Sequence, residues 1–252
     1  GEMAPSSVLT FSFTASQSAP AGALVTNTAV FSGLAQAGQA SATFASVKAG
    51  TTTTLSSSPN PSALGQAATF TATVRAVAPG AGTPTGVVTF TVDGVDFPVA
   101  LVNGVATYST GSLSVGEHGV SATYGGDGNF LPSESQPVTQ SVVALTLAMH
   151  TVGQGAVTVD PQQDVYAHGT AVTLTAQPAA GWTLAGWSGI LFAQAADLVP
   201  NPITLTIAEN TSVTATFEAL SYTLSLAADP PQGGTVSGAG VYAHGTAATL
   251  TA

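Results

Sequence analysis

The side chains able to do chemistry in this chain are few in kind. They are four histidines (His118, His150, His168 and His244), twelve carboxylates and a large supply of Ser and Thr hydroxyls. There is no cysteine, so a disulfide framework, a thiolate nucleophile and a thiolate metal site are all excluded. A nucleophile would have to be a hydroxyl activated by histidine and oriented by an acid. No G-x-S-x-G elbow occurs, and nothing in the sequence pairs a serine with a histidine and a carboxylate. The chain is therefore read as having no catalytic residues.

Two acidic stretches, Asp93-Gly94-Val95-Asp96 and Gly126-Asp127-Gly128-Asn129, look like fragments of calcium loops. Neither carries the spread of six to eight oxygen ligands that calcium takes. Both are explained as turns, because Asp and Asn tolerate the left-handed conformation. No cofactor or metal site is assigned; calcium, at acidic loops near domain junctions, is the one ion left open. Trp182 and Trp187 offer a surface for stacking sugars, but a small domain needs large side chains to fill its core. The core reading is preferred, with Trp182 and Leu184 as the buried pair. Asn210-Thr211-Ser212 fits the N-glycosylation triplet, but the preferred reading is a hairpin turn.

The elements that position these residues are organised by a repeat. Residues 165–176, VYAHGTAVTLTA, recur at 241–252 as VYAHGTAATLTA, with Val172 replaced by Ala248. A segment this alike at a fixed interval marks tandem duplication of a structural unit. Each copy predicts a strand, a tight turn at His168-Gly169 or His244-Gly245, and a Thr-rich strand. In the first copy Val172 and Leu174 share one face, and a further strand follows around Trp182 and Leu184. A histidine repeated in a repeated turn belongs to the architecture. The second copy stops before its tryptophan strand, so the chain is expected to be a piece of a longer protein.

Only 6% of the 252 residues are charged, against roughly 25% in an ordinary globular chain. Two cations, Lys48 and Arg75, stand against twelve acids, for a net charge of −10. Nucleic acid and anionic membrane surfaces both need clustered cations and are excluded as partners. No run reaches the roughly 18 apolar residues of a membrane helix, and none of the first residues form a signal peptide. Two sites for a trypsin-like protease suit an extracellular location. The apolar fraction, 44%, is carried largely by Ala and Val interleaved with Thr and Ser, the composition of strands.

Strand-like runs at 8–16, 23–32 and 40–47 give residues 1–49 three strands, the C-terminal part of a β-domain. This stretch, with APAG at 19–22, is similar to the end of a bacterial surface-protein repeat. Residues 50–143 predict about seven strands, among them 67–77, 87–92, 97–102, 105–110, 119–124 and 137–143. Phe70, Ala72 and Val74 share one face of the first of these, and Val88, Phe90 and Val92 one face of the second. Asp93-Gly94 and Asn103-Gly104 lie between alternating runs, the strongest short hairpin signal. This is the pattern of an Ig-like sandwich. The runs TTTTLSSSPNPSALGQAATFTATV, GTPTGVVTFTVDG and ATYGGDGNF resemble the bacterial Ig-like repeat family along its length. The resemblance implies a spacer module without an active site.

Residues 144–219, with VYAHGTAVTLTAQPAAGWTLAGWSG and SVTATF, resemble the divergent internalin-type B-repeats, and 220–252 begin a second one. Where those repeats carry a short polar connection, this chain has ILFAQAADLV at 190–199. Its apolar residues Ile190, Leu191, Phe192, Leu198 and Val199, with a single charge at Asp197, predict an interface with a neighbouring domain or subunit. The alternative is a lid over its own domain, with one helical turn through 193–196. Short linkers are expected at 141–144 and 218–220.

The expectation is an all-β chain: an Ig-like β-sandwich at 50–143 flanked by smaller β-domains at 1–49, 144–219 and 220–252, in tandem. The function expected is that of a non-catalytic segment of a bacterial surface or extracellular protein, a stalk, adhesin or filament part working by extension and self-association. A glycan- or cell-surface-binding module and the spacer of a large secreted enzyme are the alternatives.

Overall fold

The structure, a computed structural model, describes residues 24–31, 38–45, 47–189 and 200–252. All regular elements among them are strands, as the alternating pattern predicts. The chain divides into two compact units. The first takes in residues up to 62 together with 67–110 and 116–141; the second takes in 63–66, 111–115 and 142–252.

In the first unit, β1 (Leu24–Phe31) and β2 (Gly38–Ala45) pair antiparallel, from Leu24 opposite Ala45 to Phe31 opposite Gly38. They match the predicted runs at 23–32 and 40–47, while the run at 8–16 lies outside the described residues. The sandwich follows with β3 (Thr51–Ser58), β4 (Ser62–Ala63), β5 (Ala68–Ala76), β6 (Val87–Val92), β7 (Val95–Ala100), β8 (Val105–Thr110), β9 (Gly116–Tyr124), β10 (Ser133–Glu134) and β11 (Val138–Val143). One sheet is ordered β3-β5-β8; the other runs β4-β11-β9-β6-β7, with β10 on β9.

Period-two alternation decides what is inside. Phe70, Ala72 and Val74 of β5 are buried, as are Val88, Phe90 and Val92 of β6 and Val120, Ala122 and Tyr124 of β9. The intervening threonines of β5 and β6 are half-buried and face away from the core. Tyr108 of β8 stacks on Phe97 of β7 with ring centroids 4.4 Å apart and lies 6.1 Å from Phe90, joining the two sheets through aromatic contact. Asp93 (φ 48) and Gly94 (φ 82) turn β6 into β7, and Asn103 (φ 53) and Gly104 (φ 77) turn the chain into β8. Positive φ at both central residues is what a two-residue hairpin turn requires. The strand predicted at 97–102 is displaced to Val95–Ala100, because pairing with β6 starts directly at the Asp-Gly turn. Val102 instead pairs with Val105 across Asn103-Gly104.

The second unit contains β12 (Leu147–Val152), β13 (Gly155–Asp160), β14 (Thr170–Pro178), β15 (Trp182–Gly189), β16 (Ile203–Ile207), β17 (Thr211–Ala219), β18 (Ser221–Leu224) and β19 (Gly240–Ala243). They form sheets β12-β17-β15, β13-β14-β16 and β18-β19. β12 and β17 run parallel, Leu147 opposite Thr211, a pairing without a turn to announce it in the sequence. Leu145, Tyr166, Val172, Leu174, Ile203, Leu205, Ile207 and Val213 make one buried cluster; Ala176, Ala215 and Phe217 make a second. Full burial of a side chain such as Leu174 or Ile207 contributes about 1.5–3 kcal/mol by area.

Three expectations are corrected. The Thr-rich strand predicted after His244-Gly245 does not form: β19 ends at Ala243, and beyond the turn only Thr251 pairs, in an isolated bridge with Ser237. The strand predicted just before His168 is only a bridge between Tyr166 and Leu145, whereas its second copy is the regular strand β19. The expected linkers are largely strand: β11 runs through Val143 with Val142 buried, and β17 runs through Ala219, leaving Leu220 alone before β18.

Candidate functional site

Among the described residues no three or more of His, Asp and Glu gather as a metal-binding group. Polar side chains are instead aimed at backbone. Asp127 accepts at Oδ2 from the Thr85 N–H (2.9 Å) and hydroxyl (2.6 Å), and at Oδ1 from the N–H groups of Asn129 and Phe130, both at 2.8 Å. Both carboxylate oxygens thus meet two donors each, which is the work of a turn. Burial pushes the Asp127 carboxyl up, but these four donors outweigh it and bring it to about 2. Lys48 Nζ donates to the Asp127 carbonyl at 2.6 Å. Tyr124 Oη is buried beside this turn, and burial and the Asp127 charge push the phenol up to about 12.

The second acidic stretch behaves alike. Asp93 Oδ1 accepts from the Gly119 N–H at 2.9 Å, and Oδ2 from His118 Nδ1 at 2.6 Å. The His118 hydrogen bond, helped by Gly119, holds the Asp93 carboxyl below the usual range. Sequence reasoning missed this histidine–acid pair, although β6 pairing with β9 puts Val92 opposite Val120 and so sets position 93 beside 119. An imidazole oriented by a carboxylate is the supporting half of a triad. Here the acid belongs to a turn at positive φ, and the pair fastens that turn to β9.

Gln140 is the least expected of the polar residues. It is completely buried, and its Nε2 donates to Ser62 Oγ (3.1 Å), Pro59 O (3.1 Å) and Ser141 O (2.9 Å), while its Oε1 accepts from Ser57 Oγ. Asn60 works in parallel, donating to Thr139 O at 2.7 Å and accepting from the Ser141 N–H at 3.0 Å. In the second unit Asn201 bonds both backbone groups of Ala176, and Asn210 Oδ1 accepts from the Thr146 N–H at 3.0 Å. Asn210 therefore sits in the connection between β16 and β17, and the expected hairpin is corrected: the two strands belong to different sheets, so the chain crosses between sheets there.

Trp182 and Leu184 pack, partly buried, on the Ala176, Ala215 and Phe217 cluster; Trp187 packs on both clusters of the second unit and donates Nε1–H to Pro200 O at 3.1 Å. Trp182 and Leu184, expected as a buried pair, are thus half-buried at the edge of the core rather than enclosed in it. His168 and His244 lie in the repeated turn, before Gly169 (φ 85) and Gly245 (φ 79). The apolar set Ile190, Leu191, Phe192, Leu198 and Val199 lies outside the described residues.

No curated protein sequence matches the chain. Residues 54–143 match the family model of the bacterial Ig-like domain (group 3), and residues 145–221 and 224–252 match that of the divergent InlB B-repeat domain. Sandwich and repeated turn agree with that division, a match to the bacterial Ig-like domain followed by two matches to the divergent InlB B-repeat domain.

Proposed function

We propose that this array is a non-catalytic spacer in a bacterial surface or extracellular protein, holding other domains apart and associating with further copies of itself. Domains of these two kinds are typical of surface and extracellular proteins and are typically non-catalytic, so the chain is a modular segment of that type. The finer reading is supported chiefly by where the polar groups go. Asp127, Asn60, Gln140, Asn201 and Asn210 direct their side chains into the backbone of their own unit, where they stiffen turns and strand ends. Self-association is supported by composition: 44% of the residues are apolar and only 6% are charged, which leaves little charge to keep copies apart.

The test combines sedimentation velocity over a wide concentration range with a glycan array. Concentration-dependent association without sugar binding is expected. A chain that stays monomeric at every concentration, or that binds one glycan reproducibly, overturns this function.

A further inference from the structure

The two copies of the Ala-His-Gly-Thr turn are built by the same bonds. The Thr170 N–H and hydroxyl return to Ala167 O at 3.1 and 2.7 Å, and those of Thr246 return to Ala243 O at 3.0 and 2.5 Å. In each copy the histidine N–H is spent outside the turn. His168 donates to Leu64 O at 2.7 Å, within the segment 63–66 that belongs to the same unit, and His244 donates to Leu220 O at 2.8 Å.

The two acceptor leucines are alike. Each has its own N–H committed elsewhere, Leu64 to Val143 O and Leu220 to Gly181 O, both at 2.8 Å. Each stands with a glycine at positive φ, Gly65 (φ 78) adjoining Leu64 and Gly181 (φ 76) bonded to Leu220. A β-carbon on Gly65 would come within 3.1 Å of Ala167 Cβ, and one on Gly181 would overlap the His244 imidazole. That ring lies 6.1 Å from the ring of Tyr222.

Leu220 is the only residue between β17 and β18. Its N–H continues the pairing of β15 with β17, and its carbonyl continues the pairing of β18 with β19. We propose that the Ala-His-Gly-Thr turn is the coupling site of the repeat. Its partner is a leucine whose N–H is already committed and whose carbonyl is presented beside a glycine without a β-carbon. Through it the second repeat is fixed to the first. The inference deepens the spacer reading and rests on it, because a spacer of separately tumbling repeats would need no such site.

The experiment is hydrogen exchange on the full chain, comparing the native sequence with Gly181→Val and His244→Ala. The native amides of His168, Leu220 and His244 are expected to be protected. Gly181→Val is expected to speed exchange at Leu220 and His244 by about tenfold or more, the effect of ~1.4 kcal/mol of local stability, while Val172 and Leu174 keep their protection. His244→Ala keeps the N–H but loses the ring on Gly181, and is expected to speed exchange at Leu220 and at residue 244 in the same direction by less. Unprotected native amides at His168 and His244 overturn the inference. So does exchange at Leu220 and residue 244 that neither variant changes, or loss of protection at Val172 and Leu174 in both. Glycan binding by the native chain would sink the spacer reading without touching these amides.

Discussion

Asp127 and Thr85 are joined twice, through the Thr85 N–H and the Thr85 hydroxyl, on a single carboxylate oxygen. The other oxygen takes the N–H groups of Asn129 and Phe130. Asp127→Ala leaves all of these donors without their acceptor, and a loss on the order of 1–3 kcal/mol in the stability of the first unit is expected from urea unfolding. The acid dependence follows in sign. The folded carboxyl, at about 2, titrates below its unfolded range of about 3.9. Its contribution is therefore complete above pH ~4 and lost as pH falls toward ~2. Native stability should decline across that window more steeply than that of Asp127→Ala.

Gln140 replaces what would otherwise be an apolar strand position. Gln140→Leu keeps the bulk but leaves the buried Ser62 hydroxyl without its partner, at about 1–3 kcal/mol, and removes the bonds to the half-buried Ser57 and Ser141 and to the exposed Pro59 carbonyl, which water can reach. A total loss of at least about 1–3 kcal/mol is expected. Thr69→Ala, at the exposed Thr69–Ser109 hydroxyl pair, should stay within about 0.5 kcal/mol. Similar unfolding midpoints for both variants would mean that Gln140 is not a stabilising node.

Leu174 and Leu250 occupy the same place in the two repeat copies, yet one is fully buried and the other is 56% exposed. Leu174→Ala should cost about 2–5 kcal/mol through lost burial and the cavity left behind. Leu250→Ala should change stability by no more than about 0.5 kcal/mol at low concentration. If both matter equally in dilute solution, the second copy is packed as the first is.

Phe90 and Thr89 test the register of β6. Phe90 is fully buried and Thr89 faces the other way, opposite Pro98 and Thr123. Phe90→Asp puts an uncompensated carboxylate in the sandwich and should abolish folding of the first unit. Thr89→Asp should be mild. Equal thermal shifts would mean a register one residue out.

What the sequence made legible is what period-two alternation and turn chemistry control. The buried faces of β5 and β6, the Asp93-Gly94 and Asn103-Gly104 turns and the burial of Val172 and Leu174 all follow from local pattern. What it hid is long-range. The parallel pairing of β12 with β17 has no turn signal, and the isolated Tyr166 bridge reads locally like a strand. Gln140, Asn60 and Asn201 look like ordinary surface polar residues until the backbone groups they satisfy are brought to them. The His118–Asp93 pair needed the β6–β9 register before it could be seen.

The spacer account is tested most directly by small-angle scattering of the chain, extrapolated to zero concentration so that self-association is removed. A single compact globule of 252 residues would have a radius of gyration of about 18 Å. A spacer predicts a value well above that, on the order of 25 Å or more, together with a pair-distance distribution drawn out to one side. A radius near ~18 Å with a symmetric distribution would contradict it.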